Sequence, residues 1–251
     1  MQTVRTGAAI GLIAQLALLA ALAGTVGLGG TGLAVGIACG VTTNAALSRG
    51  LAGSGADAVG PADRVTLVRA TLAGGVAALT ADSFDRPAPV TTLVALTVVA
   101  LALDAVDGWV ARRTHTASTF GARFDMEVDA FLILVLSVYV ARSTGGWVLA
   151  IGAARYAFVA AGWLLPWLRG STPPRYWCKV VAATQGVVLT IAAADVLPPI
   201  VTDAALAISL ALLTESFGRD VGWLWRHREV GPYRIRLDPG PRATLRTDPA
   251  G

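Results

Sequence analysis

The sequence predicts an all-α polytopic membrane protein, on three observations. Hydrophobic residues make up 55% of the 251-residue chain and charged residues only 14%, with a mean hydropathy of +0.63, far from a soluble globular composition. The apolar runs recur at helical membrane length with short polar breaks between them, whereas a transmembrane barrel would alternate apolar and polar residues. The arginines concentrate in alternate breaks, the pattern left by retention of Lys and Arg in cytoplasmic loops.

Eight candidate spans follow, at residues 7–28, 31–48, 65–81, 90–111, 120–141, 147–168, 179–197 and 203–224, with seven spans, or six plus an N-terminal appendage, as the alternative counts. The first is read as an uncleaved span, although Arg5, the apolar run and the triplet Ala21-Leu22-Ala23 also resemble a cleavable signal peptide. The second repeats Gly32, Gly36 and Gly40 at every fourth residue, a stripe that admits a close helix, either a neighbour in the same chain or a partner copy. The third and seventh are short for a span. The fourth and fifth carry the acidic residues treated below, and the sixth holds Arg155 well inside its apolar run. Lys179, the only lysine, opens the seventh close to Arg175. After Trp225 prolines, glycines and dispersed arginines replace any apolar period. The expected organisation is therefore extra N-terminal segments over 1–58, a six-helix membrane domain over 59–224 and a basic cytoplasmic tail over 225–251.

With the N-terminus inside, the inner segments hold Arg5, Arg49, Arg64, Arg112, Arg113, Arg169, Arg175 and the arginines after Trp225, while the outer ones hold only Arg86 and Arg142. The net charge of +4 is spread over loops and tail rather than gathered on a basic face, which argues against nucleic acid and for anionic membrane lipids as partners. Cys39 and Cys178 are too few and too far apart for a disulfide framework or a metal site, and His115 and His227 lie in polar segments as solvated side chains.

Asp104, Asp107, Asp125 and Asp129 interrupt an otherwise apolar region. Each carboxylate at a helix centre opposes insertion by roughly 2.5–3.5 kcal/mol, so four amount to about 10 kcal/mol unless cations compensate. Asp104, Asp107 and Ala111 share one helical stripe; Asp125 and Asp129, one turn apart, share another, so two antiparallel helices can aim all four acids into one cleft. Oxygen-only ligands suit Mg²⁺ or Mn²⁺, and two such ions balance four carboxylates while leaving room for a diphosphate. Gly108 and Ala111 remove bulk beside the acids, Gly121 does so at the start of the next span, and Arg112 stands where a guanidinium can grip a phosphate.

The run Asp104-x2-Asp107-Gly108-x2-Ala111-Arg112-x8-Gly121-x3-Asp125-x3-Asp129 resembles the full signature of the CDP-alcohol phosphatidyltransferases, eight fixed residues at fixed spacing. The likeness extends over about residues 61–222, and the segment Pro61-Ala62-Asp63-Arg64-Val65-Thr66-Leu67-Val68-Arg69 is similar to the opening of that family's first core helix, with Asp63 where Asn is usual. Both residues cap a helix N-terminus. The resemblance implies that Asp104, Asp107, Asp125 and Asp129 hold two ions of Mg²⁺ or Mn²⁺, with Asp129 also the general base. It places Thr66, Arg69, Gly108, Ala111, Arg112 and Gly121 at the CDP-lipid, with Arg69 buried against the acids or the lipid phosphate.

The reaction implied is transfer of a phosphatidyl group from CDP-diacylglycerol to a polyol or polyol-phosphate acceptor with release of CMP, at the cytoplasmic face of a bacterial plasma membrane, by a chain whose relatives tend to be homodimers. Arg155, Arg175 and Lys179 are candidate acceptor-binding residues, topological anchoring being the alternative for each. An intramembrane prenyltransferase would carry two separated Asp-rich segments instead of one dense cluster. An ion-coupled transporter would give no reason for Gly108, Ala111, Arg112 and Gly121 to stand where they do.

Overall fold

The computed structural model describes residues 2–54, 61–114, 119–170 and 176–228, with side chains described over 10–50, 64–106, 121–170 and 177–228. Among these residues there are eight α-helices and no strand: α1 (Gln2–Val26), α2 (Gly30–Ser54), α3 (Pro61–Asp82), α4 (Val90–Thr114), α5 (Thr119–Thr144), α6 (Leu149–Leu164), α7 (Tyr176–Ala194) and α8 (Pro199–Arg226). Each matches one apolar run of the sequence, because within lipid only a helix satisfies every backbone N–H and C=O internally.

The sixth run is shorter as an α-helix than the expected span 147–168. It begins with a 3-10 turn at Gly146–Val148, and Leu164 ends it because Leu165, extended before Pro166, cannot continue the α conformation; a second 3-10 turn, Pro166–Arg169, follows. Gly145, with φ of +117°, makes the sharp exit from α5, and Gly27, with φ of +70°, supplies the left-handed stop after α1.

Among the described residues, five stretches are long and apolar enough to cross a membrane: Gly30–Gly50, Arg64–Asp82, Gly146–Leu164, Trp177–Ala194 and Pro199–Arg226. Within the described side chains, helices α1 and α4 add the apolar stretches Ile10–Val26 and Val90–Val106. Each of the eight spans expected from the sequence coincides with one described helix, and in α5 the charged first half (Arg123, Asp125, Glu127, Asp129) interrupts the apolar run.

Helix α3 is the hub, packed by α1, α2, α4 and α5, and 72% of its apolar stretch is buried against 17–33% for the other four. Its small residues explain this. A side chain at Gly75 would meet Leu18 of α1 at 2.8 Å, and one at Gly74 would meet Gln15 at 2.9 Å. In lipid, such close backbone approach replaces the hydrophobic drive that holds soluble helices together. Leu19, Leu22, Val76, Leu79, Leu93 and Leu136 form the centre of the main core around it.

The glycine stripe of α2 serves this packing within the chain. A side-chain carbon at Gly32 would stand 2.8 Å from the carbonyl oxygen of Ala78, one at Gly36 would strike Leu19 and Ala78, and one at Gly40 would strike Gln15. At one end of α3 the buried carboxylate of Asp82 accepts a hydrogen bond from Gly29 N–H at 3.0 Å and pairs with Arg86, which donates to the Gly27 carbonyl at 2.5 Å. Arg142, at the end of α5, donates to Ser83 Oγ at 2.5 Å. This polar clasp ties the α1–α2 turn, the α3–α4 turn and α5 together.

Candidate active site

At the opposite end of α3 an arginine meets the acids. Arg69 is only 1% exposed. Its Nη1 lies 3.0 Å from Asp104 Oδ1 of α4 and also contacts Asp125 Oδ1 of α5, while Nη2 contacts Asp129 Oδ1. Asp125 and Asp129 reach one guanidinium because they stand one helical turn apart. Asp104 joins them because α4 and α5 both pack on α3. Each of the three acids offers an oxygen, and these oxygens lie within 4.8 Å of one another. The cluster is open on one side, with 35–43% of each acid's side chain accessible.

The structure therefore brings together Asp104, Asp125, Asp129 and Arg69, with Thr66 buried three residues before Arg69 and Gly121 one turn before Asp125. Of the two burial partners considered for Arg69, the acids are the ones present. Asp107, Gly108, Ala111 and Arg112 fall in the last two turns of α4, but their side chains lie outside the described residues.

Three carboxylates converge on one guanidinium, and the ligand atoms they offer are all oxygen. That set fits a hard divalent cation, Mg²⁺ or Mn²⁺, in preference to zinc or copper.

The sequence reading missed a second ion pair beside this cluster. Glu127, between the two acids of α5 but on another face of the helix, pairs with Arg155 of α6. Its signal was available, because a glutamate two residues from each aspartate must project away from their shared face.

Asp129 and Arg155 also line a cavity of about 210 Å³ enclosed by α5, α6, α7 and α8, together with Cys178, Gln185, Ser216 and Asp220. Ser216 Oγ lies 3.6 Å from Cys178 Sγ, which is 4.0 Å from Asp220 Oδ2. Cys178, given no role from sequence, and Asp220 are additions to the site's surroundings. Asp220 could have been found as a carboxylate inside the last apolar run. Arg175 lies outside the described residues; of the two described basic candidates, Arg155 borders this cavity, while Lys179 is exposed and does not line it.

A family model described as CDP-alcohol phosphatidyltransferase matches residues 60–214, well over half of the chain and the whole stretch that carries the acids, Arg69 and the cavity's α5–α7 walls. No curated protein and no solved structure gives a significant match. With the acid cluster at the junction of α3, α4 and α5 and the family match spanning it, the chain belongs to the CDP-alcohol phosphatidyltransferase family, integral membrane phosphotransferases that move a phospholipid head group from a CDP-alcohol to an alcohol acceptor.

Proposed function

We propose that the protein transfers the phosphatidyl group of CDP-diacylglycerol to the hydroxyl of a small polyol or polyol phosphate, releasing CMP, at the cytoplasmic side of a bacterial plasma membrane. The observation that carries this reading is the convergence of Asp104, Asp125 and Asp129 on Arg69 within the stretch matched by the family. Asp104, Asp107, Asp125 and Asp129 would hold the divalent ions, which when bound neutralise the diphosphate and the departing phosphate oxygen.

The other roles belong to this chain's own side chains. Asp129 borders both the acid cluster and the neighbouring cavity, so its carboxylate can take the proton of an acceptor hydroxyl seated in that cavity. The acceptor oxygen then bonds to the lipid-side phosphorus as the bond from that phosphorus to the CMP oxygen breaks. In this reading Arg112, and Arg69 from its place among the acids, bind phosphate oxygens, Gly108, Ala111 and Gly121, lacking bulk, let the nucleotide approach backbone, and Thr66 completes the CDP-lipid side. Arg155 is the acceptor-side cation, with Arg175 and Lys179 as its candidate helpers. The acyl chains stay in lipid between apolar helix faces.

Orientation rests on the arginine distribution, which puts the α4–α5 turn inside. The test is to incubate membranes containing the protein with labelled CDP-diacylglycerol, Mn²⁺ and a panel of acceptors. CMP release that needs both acceptor and metal and is lost in Asp129→Asn supports the reading, and turnover of a prenyl diphosphate in place of the CDP-lipid defeats it.

A further inference from the structure

The family match begins at residue 60 and leaves α1 and α2 outside it, yet α2 reaches the site. Leu47, near its C-terminal end, is fully buried and forms a separate small apolar cluster with Leu67 and Ala70 of α3 and Phe124 and Val128 of α5. Those four neighbours bracket the reactive residues. Leu67 and Ala70 flank Arg69, while Phe124 and Val128 each immediately precede an acid, Asp125 and Asp129. On a helix the next residue is turned by about 100°, so the apolar cluster and the Arg69–acid contacts are adjacent seams of one α3–α5 interface at the same height.

Leu47 is held there by the whole length of α2. The antiparallel register starts with Gly29 bonded to Asp82 at 3.0 Å and passes Gly36, against Ala78, before ending with Leu47 beside Leu67. A second tie, Thr31 Oγ1 donating to Asp85 Oδ2 at 2.7 Å, fixes the far end. The glycines of the stripe make α2 a close-fitted strut rather than a loosely apposed helix.

We propose that Leu47 of α2 is a positioning residue: by filling the wedge between α3 and α5 it sets the spacing at which Arg69 meets Asp125 and Asp129. This rests on the function proposed above for its activity readout. Displacements near 1 Å at a reacting centre cost about 100-fold in rate, so a void at Leu47 that lets the two helices settle toward each other is felt at the acids.

The experiment compares three full-length variants: Leu47→Ala, Leu47→Met, and Leu22→Ala, a matched truncation of a 4% exposed leucine in the same hairpin but in the main core. Measured are kcat and KM for CMP release from CDP-diacylglycerol, Mn²⁺ binding by electron paramagnetic resonance, and thermal midpoint. Leu47→Ala is expected to lower kcat about 10-fold or more and weaken Mn²⁺ binding several-fold, with Leu47→Met restoring most of both. Leu22→Ala is expected to lose comparable thermal stability while holding kcat and Mn²⁺ affinity within about 2-fold.

Equal losses of activity and Mn²⁺ affinity in the two alanine variants at matched folded fraction, or no loss in Leu47→Ala, overturn the inference. A wild-type protein that releases no CMP defeats the proposed reaction instead, and the Mn²⁺-binding comparison still decides the positioning role.

Discussion

Replacing Arg69 by Gln removes the one described cation from three carboxylates whose oxygens lie within 4.8 Å of one another. At an effective dielectric of about 20, each carboxylate pair at that separation repels by roughly 3.5 kcal/mol, and loss of one partner from a buried pair costs about 3–5 kcal/mol. The acids are 35–43% accessible, so screening places the expected loss at the low end, about 3 kcal/mol. For a chain of this size that lowers the melting midpoint by roughly 6–12 °C.

The assay is a tryptophan-fluorescence melt of detergent-solubilised protein in EDTA, repeated with a titration of Mn²⁺. Because the variant's cluster carries one positive charge fewer, it should bind the ion more tightly than wild type does. A cation at 100 times its Kd adds about 2.7 kcal/mol, so saturating Mn²⁺ should recover most of the lost stability while wild type gains less. A variant that melts with wild type in EDTA, or one whose Mn²⁺ gain equals that of wild type, would show that Arg69 is not the internal counter-ion of this cluster.

Asp129→Asn should cut kcat for CMP release by roughly 100-fold or more while changing the melting midpoint little, as measured by steady-state CMP assay beside a thermal melt. Asp82→Ala, which strands the Gly29 N–H and removes the carboxylate paired with Arg86, should cost about 2 kcal/mol, whereas Arg86→Ala, at a half-exposed side chain, should cost about 1 kcal/mol or less; thermal melts separate them. Gly32→Ala puts a carbon 2.8 Å from the Ala78 carbonyl and should destabilise by about 1–3 kcal/mol, while Gly24→Ala, in α1 with open space around it, should stabilise by about 0.5–1 kcal/mol. The sign difference between the two glycines is the check, read from the same melts.

Much of the fold was legible in the sequence. Each apolar run became one helix, and the errors lie at ends set by local chemistry, such as Pro166 stopping α6 short of the expected boundary. The acids were legible too, because a carboxylate amid apolar residues is conspicuous in one dimension and helical periodicity says which of its neighbours share its face. Glu127 shows the limit of that reading. Its spacing placed it off the acidic face, but only the packing of α6 against α5 revealed Arg155 as its partner.

The sequence by itself determined the class of protein and carried the family signature. Composition, the 3.6-residue period and residue spacing are properties of a single segment, and lipid leaves a segment little choice but the helix. Only the tertiary structure decided which helices meet: that α3 sits at the centre, that Arg69 points into the acids, that the glycine stripe is used within the chain, and that Leu47 lies against the site from outside the family core. These depend on contacts between residues on different helices, such as Arg69 with Asp125, 56 positions apart, and no local pattern encodes which close-packed arrangement of apolar helices buries its polar groups best.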